Sequence, residues 1–408
     1  MTYRSVLSNR EFAAILLSQG LSTAGDQLAR IAIAVLVFGR TGSGLLASAT
    51  YAVSYLTYLL AGPWLSALSD RYPRLTVMVV CDALRVPLVL LMCLDRAPLW
   101  SLFTILALLG FLAPPFASAR SALQPEILPG DAYVTGNALI NIVLQFSEVV
   151  GFVLGGALVA AVSVRGALAL DAVTYLVSGS ALLAFVRPRP AAQAPESRGS
   201  LLHDTASGLR FVRSSPTLKR YLAFSVVGSA ALITPEGLAV PEAHKLGAGA
   251  LAAGILTAAV SAGFVVSGVL IVRLAPERRI SLLFPLAMLA IAPLLLTPLA
   301  TSVAAVALLW GVAGLGACLN LVASAAYVQA CPSEYRSRAY GLAVTLLFSV
   351  QGAALLISGA LADAVSPAGA VAIIAAVMLG ALLLTPGLRR DAGFGAQEDR
   401  DLFRGSTG

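Results

Sequence analysis

A chain of 408 residues with 58% hydrophobic and 12% charged side chains is not composed like a water-soluble protein, which carries roughly 25% charged residues. That composition and a mean hydropathy of +0.88 exclude disorder, a secreted disulfide scaffold and an ordinary cytosolic enzyme, and point to a polytopic membrane protein, while a pI of 9.5 leaves the role of the basic residues to their placement. The N-terminal stretch MTYRSVLSNREF leads into an apolar run too long for a signal peptide, so it is read as entering a retained first span. Each crossing needs about 20 apolar residues. Twelve are predicted, over about 11–38, 44–68, 75–95, 98–119, 132–162, 166–186, 218–240, 249–273, 279–299, 301–330, 338–363 and 368–388. Cys81, Cys93, Cys318 and Cys331 form no C-x-x-C pair and are expected as free thiols.

One long polar stretch, about 187–217, separates the sixth and seventh spans. It begins Pro-rich and then carries Leu201, Leu202, Leu209, Phe211 and Val212 against Arg210 and Arg213, the pattern of a linker helix lying on a membrane surface. The predicted organisation is an N-terminal six-helix bundle (1–186), a cytoplasmic linker (187–217), a C-terminal six-helix bundle (218–388) and a cytoplasmic tail (389–408). With the N-terminus inside, 21 of the 27 Lys and Arg residues are cytoplasmic. Four (Arg40, Arg96, Arg165, Lys245) are outside, and Arg30 and Arg85 lie within spans. The basic pI is then a topology signal and predicts no nucleic-acid partner. A location in the cytoplasmic (inner) cell membrane with both termini cytoplasmic is expected.

An internal repeat supports two halves. Residues 155–172 (GGALVAAVSVRGALALDA) and 358–375 (SGALADAVSPAGAVAIIA) match at ten of eighteen positions at a constant offset of 203. The matches include Gly156/Gly359, Leu158/Leu361, Ser163/Ser366 and Gly166/Gly369. Six spans per half is an even number, so the copies run parallel, related by an axis along the membrane normal.

The segment between spans 2 and 3 reads Ser66-Ala67-Leu68-Ser69-Asp70-Arg71-Tyr72-Pro73-Arg74. Together with the six-plus-six repeat it resembles the major facilitator superfamily, whose pattern there is G-x-x-x-D-R-x-G-R. Asp70, Arg71 and Arg74 match, while Ser66 and Pro73 replace the glycines. The resemblance implies twelve transmembrane helices in two pseudo-symmetric bundles, a monomer, and alternating access. It also implies a cytoplasmic gate at Asp70, Arg71 and Arg74, whose charges can pair with helix termini. Span 5 carries Gly151-Phe152-Val153-Leu154-Gly155-Gly156, which looks like the G-x-x-x-G-P-x-x-G-G signature of proton-coupled exporters. Gly151, Gly155 and Gly156 match; Phe152 stands in place of Pro, and Ser147 and Ala138 replace earlier glycines. The same glycines also make a generic close-packing face. Ser22–Asp26, Val80–Arg85 and Leu170–Leu176 resemble the enterobactin-exporter and macrolide-efflux-like branch.

An ionisable group in mid-bilayer is costly and usually faces the bundle interior. Those in the predicted spans are Asp26, Arg30, Asp82, Arg85, Glu148, Asp171 and Glu236, nearly all in the first half. At the repeat offset Glu148 corresponds to Gln351 and Asp171 to Ile374. Asp26, Glu148, Arg30, Asp82 and Arg85 are the candidate proton-coupling residues. Asp26/Arg30 and Asp82/Arg85 can each pair within one helix, at i, i+4 and i, i+3. Glu148 has no basic residue one turn away in its helix and is the first candidate proton carrier. Asn137, Asn141, Gln145 and Glu148 fall within a sector of about 80° on span 5, and Tyr51, Tyr55 and Tyr58 form a stripe on span 2. Tyr51, Tyr55, Asn141, Gln145 and Glu236 are the candidate substrate-cavity residues, offering aromatics and amides to amphipathic organic molecules. Packing or interhelical hydrogen bonding would also account for both stripes. Pro235, Gly237 and Pro241 are expected to interrupt span 7 near its outer end.

His203 and His244 are the sole histidines, and neither lysine near an apolar run follows a glycine, so no metal centre, cofactor or Walker A nucleotide site is expected. The expected function is secondary, proton-coupled efflux of a small hydrophobic or amphipathic molecule: a drug, siderophore or secondary metabolite. An importer or uniporter of a small solute is the alternative, and a membrane enzyme acting on lipids the remote one. The expected partners are a small-molecule substrate, protons and the lipid bilayer.

Overall fold

The computed structural model describes residues 6–65, 71–94, 97–189, 210–332 and 336–384. Among them twelve helices are long and apolar enough to cross a membrane, and the fold is the all-α one expected. The first eight crossings are single helices: α1 (Arg10–Thr41), α2 (Gly44–Leu65), α3 (Arg74–Met92), α4 (Leu99–Ile127), α5 (Asp131–Ala161), α6 (Val164–Phe185), α7 (Pro216–Lys245) and α8 (Ala250–Ile271). The ninth combines a short α9 (Pro276–Ser281), α10 (Leu283–Leu295) and a 3-10 turn at Thr297–Leu299. The tenth is α11 (Val303–Leu315) followed by α12 (Cys318–Gln329), and α13 (Arg336–Ala364) and α14 (Pro367–Leu384) complete the set. Most of the predicted linker and the C-terminal tail lie outside the described residues.

Local chemistry sets the helix ends. The Asn9 side chain accepts from the amides of Glu11 (3.0 Å) and Phe12 (3.2 Å), as an N-cap should. Gly42, at φ 65°, closes α1 in the left-handed conformation that glycine adopts freely. Two matched positions of the repeat make the same cap. The Ser163 hydroxyl accepts from the Gly166 amide ahead of α6, and the Ser366 hydroxyl accepts from the Gly369 amide ahead of α14, both at 3.1 Å.

Two sequence expectations are corrected. Span 7 is not interrupted at Pro235–Pro241, because α7 runs unbroken to Lys245. Of its most apolar 18-residue window, 83% is buried, and packing on all sides holds a proline-containing helix together despite the lost donors. The break falls instead in the tenth crossing, at Gly316–Ala317. There a side chain on Gly316 would lie 2.6 Å from both Ala290 Cα and the Leu286 carbonyl, so the chain turns where it meets the α10 backbone. The fourth crossing also extends past 119 to Ile127 through Pro125, which brings Glu126 into the helix and leaves Arg120 inside it.

The chain divides into two compact units, Met1–Glu196 with Ala239–Ala258, and Ser197–Leu238 with Ala259–Gly408. In the first, α1 packs on α5 and α6, α3 on α4 and α6, and α2 on α4. Two apolar clusters stabilise this unit. One gathers Phe12, Ile15, Met78, Phe116, Leu123 and Leu182; the other gathers Leu28, Ile33, Val89, Leu102 and Leu168. Along α1, α3 and α6 the polar residues lie between the two clusters. In the second unit α10 packs on α11 and α14, and α13 on α14. There Trp310 is fully buried and donates to the Thr297 hydroxyl at 3.3 Å.

Candidate functional site

The polar layer of the first unit begins at α3. Asp82 is 1% exposed and Arg85 5%. Arg85 Nη1 donates to Asp82 Oδ1 at 3.3 Å, the i, i+3 pairing expected from their spacing. The Ser178 hydroxyl of α6 donates to Asp82 Oδ2 at 2.5 Å, and lies 2.5 Å from the Ser18 hydroxyl of α1. Arg85 Nη2 donates to the Leu112 carbonyl of α4 at 3.3 Å. Its guanidinium stands over the rings of Phe116 (5.0 Å) and Tyr175 (5.3 Å), where aromatic faces stabilise a desolvated cation. The Tyr175 hydroxyl in turn donates to Asp26 on α1.

Asp171 completes the layer. It is 1% exposed and accepts from the Thr174 hydroxyl at 3.3 Å. Its position depends on Gly25, because a Cβ at that residue would overlap Asp171 Oδ1 and Thr174 Oγ1. With no side chain there, the Asp171 carboxyl reaches the α1 backbone, within electrostatic range of Asp26 and Arg85. The layer therefore holds three carboxylates around one guanidinium. Desolvating several carboxyls is costly unless cations and hydroxyls compensate them, and Arg30, one turn from the half-buried Asp26 on α1, is a second basic group beside the layer.

A second polar group joins α1 to α5. Gln27 Nε2 donates to Glu148 Oε1 at 2.9 Å, and Arg30 lies within electrostatic range of the same carboxyl. Glu148 thus faces a basic residue from another helix, although its own helix offers none nearby. Farther along the column the Asn141 amide donates to the Asn137 carbonyl at 2.9 Å, and Asn141 is exposed while Gln145 is half-buried. On α2, Tyr51 is packed at 1% exposure and Tyr55 is half-buried. Tyr58 is within electrostatic range of Arg120 on α4. Glu236 is half-buried in α7.

The glycines of α5 mark close approaches. A side chain on Gly151 would lie 2.9 Å from Ala24 Cα, and one on Gly155 would lie 2.8 Å from Leu28 Cα, both on α1. One on Gly156 would lie 3.0 Å from Gly254 Cα on α8.

At the end of the helices where the chain enters α1 and α3, charges form a chain. Arg74 pairs with Glu126, and Arg189 bridges Glu126 (3.7 Å) and Glu11 (2.8 Å). Arg187 reaches Glu11 at 3.6 Å. Arg71 is exposed. Asp70 lies outside the described residues.

The sequence singles out Asp26, the Asp82/Arg85 pair and Asp171 on three different spans, and the structure brings them into one cluster. Tyr175, Ser18 and Ser178 were not singled out as members, although their positions one to two turns from the charged residues were a usable signal. Glu242, 1% exposed in α7, was missed because span 7 was ended at 240.

Comparison with known proteins agrees with this architecture. The MFS-type transporter YfiS of Bacillus subtilis (strain 168) is 27% identical over 209 residues, which are 50% of this chain and 49% of that protein. The lysophospholipid transporter LplT of Photorhabdus laumondii is 26% identical over 150 residues, 37% of each chain. The chain thus spans half or less of the length of these curated relatives. Among solved structures, the nucleoside transporter NupG is similar at a TM-score of 0.69 and 12% identity, over 91% of this chain and 99% of that one. A bacterial homologue of the lysosomal transporter Spinster, in an inward-facing and unoccupied conformation, is similar at a TM-score of 0.64 and 13% identity, over 97% and 98% of the two chains. Likenesses this distant establish the fold alone. The profile of the Major Facilitator Superfamily matches residues 15–349; the chain is a multi-pass membrane protein that belongs to this superfamily.

Proposed function

We propose that this protein is a secondary transporter that exchanges protons for a small hydrophobic or amphipathic organic molecule and works as an exporter. The observation that carries the proposal is the layer in which the buried Asp82 and Asp171 and the half-buried Asp26 gather near the buried Arg85. Such a cluster holds its charge most cheaply by binding a proton, and a proton that is shared can be released when the helices shift. Among the described residues no three His, Cys, Asp or Glu side chains converge as a metal ion would need. The hydroxyls of Tyr175 and Ser178 link α6 to Asp26 on α1 and to Asp82 on α3, and the Arg85 guanidinium donates to Asp82. Glu148, with Gln27 and Arg30, is a second carrier placed beside the amides Asn141 and Gln145, which would meet the substrate together with Tyr55. Tyr51 and Glu236 would take part where the helices rearrange, and Arg71 and Arg74 would belong to the cytoplasmic gate with Asp70.

Export is supported by the glycine contacts of α5 and by the resemblance to siderophore and macrolide exporters. The lysophospholipid transporter among the relatives adds single-chain lipids to the candidate substrates. Phe152 in place of the signature proline is the feature that favours an importer or uniporter instead. The test is purified protein in liposomes with an imposed pH gradient and an internal pH dye. A lysophospholipid, a catechol siderophore, a macrolide and a cationic dye would be presented in turn. Proton movement that depends on one of these and is lost in Asp26→Asn is expected; none across the panel would remove the proposal.

We place the protein in the cytoplasmic membrane, as a monomer with both termini inside. Cys93 follows the last residue of α3 and is partly accessible, whereas Cys81, Cys318 and Cys331 are buried. A membrane-impermeant maleimide should therefore label intact cells at Cys93 and not in Cys93→Ser. Burial pushes the Cys93 thiol up, against a smaller opposing effect of Arg165. Its reactive thiolate is then scarce at neutral pH, and labelling should accelerate as pH rises. Labelling confined to broken cells would reverse the orientation.

A further inference from the structure

The Gln27 amide on α1 has two unlike ends. Its Nε2 donates to Glu148 Oε1 on α5 at 2.9 Å. Its Oε1 is buried and accepts no hydrogen bond from any described residue. The side chain as a whole is 6% exposed and lies against α5 one turn beyond Glu148, where a Cβ on Gly151 would sit 3.0 Å from Gln27 Cβ. A buried carbonyl oxygen without a donor is costly, so the missing donor calls for an explanation.

The chemistry of the touching pair supplies one. Amide and carboxyl each present two polar atoms about 2.2 Å apart on one planar group. An ionised carboxylate has acceptors alone. It can use the N–H end of the amide and leaves the C=O end unmet, whichever way round the amide is turned. A protonated carboxyl has one O–H donor beside its carbonyl. It can accept from Gln27 Nε2 and donate to Gln27 Oε1 at once, in a ring closed by two hydrogen bonds. Glu148 is therefore the group that already touches this amide and can gain the donor it lacks.

The charged surroundings are few. Arg30 on α1 is within electrostatic range of Glu148. On α6, Asp171 is turned toward Gly25 of α1. The α8 helix, which meets α5 at Phe152 and Gly156, has no charged residue from Ala250 to Ile271. Glu148 thus has two arrangements: ionised, with Arg30 in range and one N–H of Gln27, or protonated, with both ends of the amide engaged.

We propose that Gln27 is the positioning residue for a proton on Glu148, holding the acid form in a cyclic pair of hydrogen bonds. The proton is taken from water onto Glu148 Oε2, is shared in the bond to Gln27 Oε1, and returns from Oε2 to water; no other covalent bond forms or breaks. Gln27 adjoins Asp26, which accepts from Tyr175, so a change at Glu148 reaches the polar layer through neighbouring residues of α1. The inference rests on Glu148 as a proton carrier, as proposed above, and adds how that proton is held.

The test is pH-difference infrared spectroscopy of the full chain in liposomes. The carboxyl stretch that grows on acidification and is missing in Glu148→Gln belongs to Glu148. In the parent it is expected at the low frequency of a carboxyl that both donates and accepts. Gln27→Met keeps the length of the side chain without its amide. There the band should rise in frequency, and its half-height should move about one pH unit toward acid, an affinity for the proton about tenfold lower. Gln27→Leu serves where Gln27→Met does not fold, and the parent frequency needs no Gln27 variant. If the amide serves the carboxylate instead, the half-height moves toward alkali, and the proposal is overturned. A parent band at the frequency of an unpartnered carboxyl, or a band unchanged in Gln27→Met, also overturns it and leaves Glu148 as a carrier. Absence of a Glu148 band at every pH would remove both the carrier and its partner.

Discussion

Asp171→Asn is expected to give a protein that melts at a higher temperature than the parent and no longer moves protons. The amide keeps the shape of the carboxyl and can still accept from the Thr174 hydroxyl, while the cluster loses one of its three acidic groups. Removing one of several neighbouring buried acidic charges is expected to stabilise the folded state by about 1 kcal/mol or more. Asp82→Asn should do the reverse. It removes the charge that accepts from Arg85 and Ser178 and leaves the guanidinium with a weaker partner, which costs about 3–5 kcal/mol when a buried pair is broken. Thermal unfolding of the two variants in detergent, beside proton flux in liposomes, checks both expectations. Equal destabilisation by the two substitutions would show that Asp171 is not in excess, and the proton would then have to reside elsewhere.

The second large effect concerns α5. Gly155→Val should sharply reduce the yield of folded protein. The new Cβ alone would lie 2.8 Å from Leu28 Cα and 3.0 Å from the Leu28 carbonyl, so backbone and not a flexible side chain has to move. Overpacking of this kind costs about 1–3 kcal/mol and more where neither partner can yield. It would also part α1 from α5 where Gln27 reaches Glu148. Gly39 is the control. It is helical and exposed, and nothing lies within 4 Å of a Cβ built there. Gly39→Ala should stabilise α1 by about 0.5–1 kcal/mol. Size-exclusion profiles and melting temperatures of the two variants would separate a packing glycine from an incidental one.

The crossings were legible in the sequence because the bilayer imposes length and hydropathy on every one of them, and their number follows from composition almost directly. Helix ends were less so. α4 outran its prediction because Arg120 and Glu126 look like a cytoplasmic loop, yet Glu126 pairs with Arg74 and Arg189 and stays helical. Pro235 and Pro241 looked like a break, but burial of α7 outweighs two lost donors. The real break at Gly316 reflects contact with α10, which no local pattern carries. For the site, charge in an apolar run marked Asp26, Asp82, Arg85 and Glu148. Pairing across helices was not visible. Glu148 meets Gln27 at a sequence separation of 121, and Asp26 meets Tyr175 at 149. Gly25 gave no sign that it clears the space for Asp171, because a lone glycine in a span has many uses.

The polar layer also constrains how the chain is made. Asp26 and Arg30, Asp82 and Arg85, and Asp171 leave the ribosome on three different helices. A charged residue at the centre of a lone helix costs at least about 2.5–3.5 kcal/mol in lipid. Arg85 meets the Leu112 carbonyl 27 residues later and the Phe116 ring 31 residues later, both on α4, but the Tyr175 ring of α6 only after 90, and Asp26 meets Tyr175 only after 149. The early helices therefore have reason to wait at the insertion machinery, shielded from the bilayer, until α6 arrives, and the first half would enter the membrane as a group instead of one helix at a time.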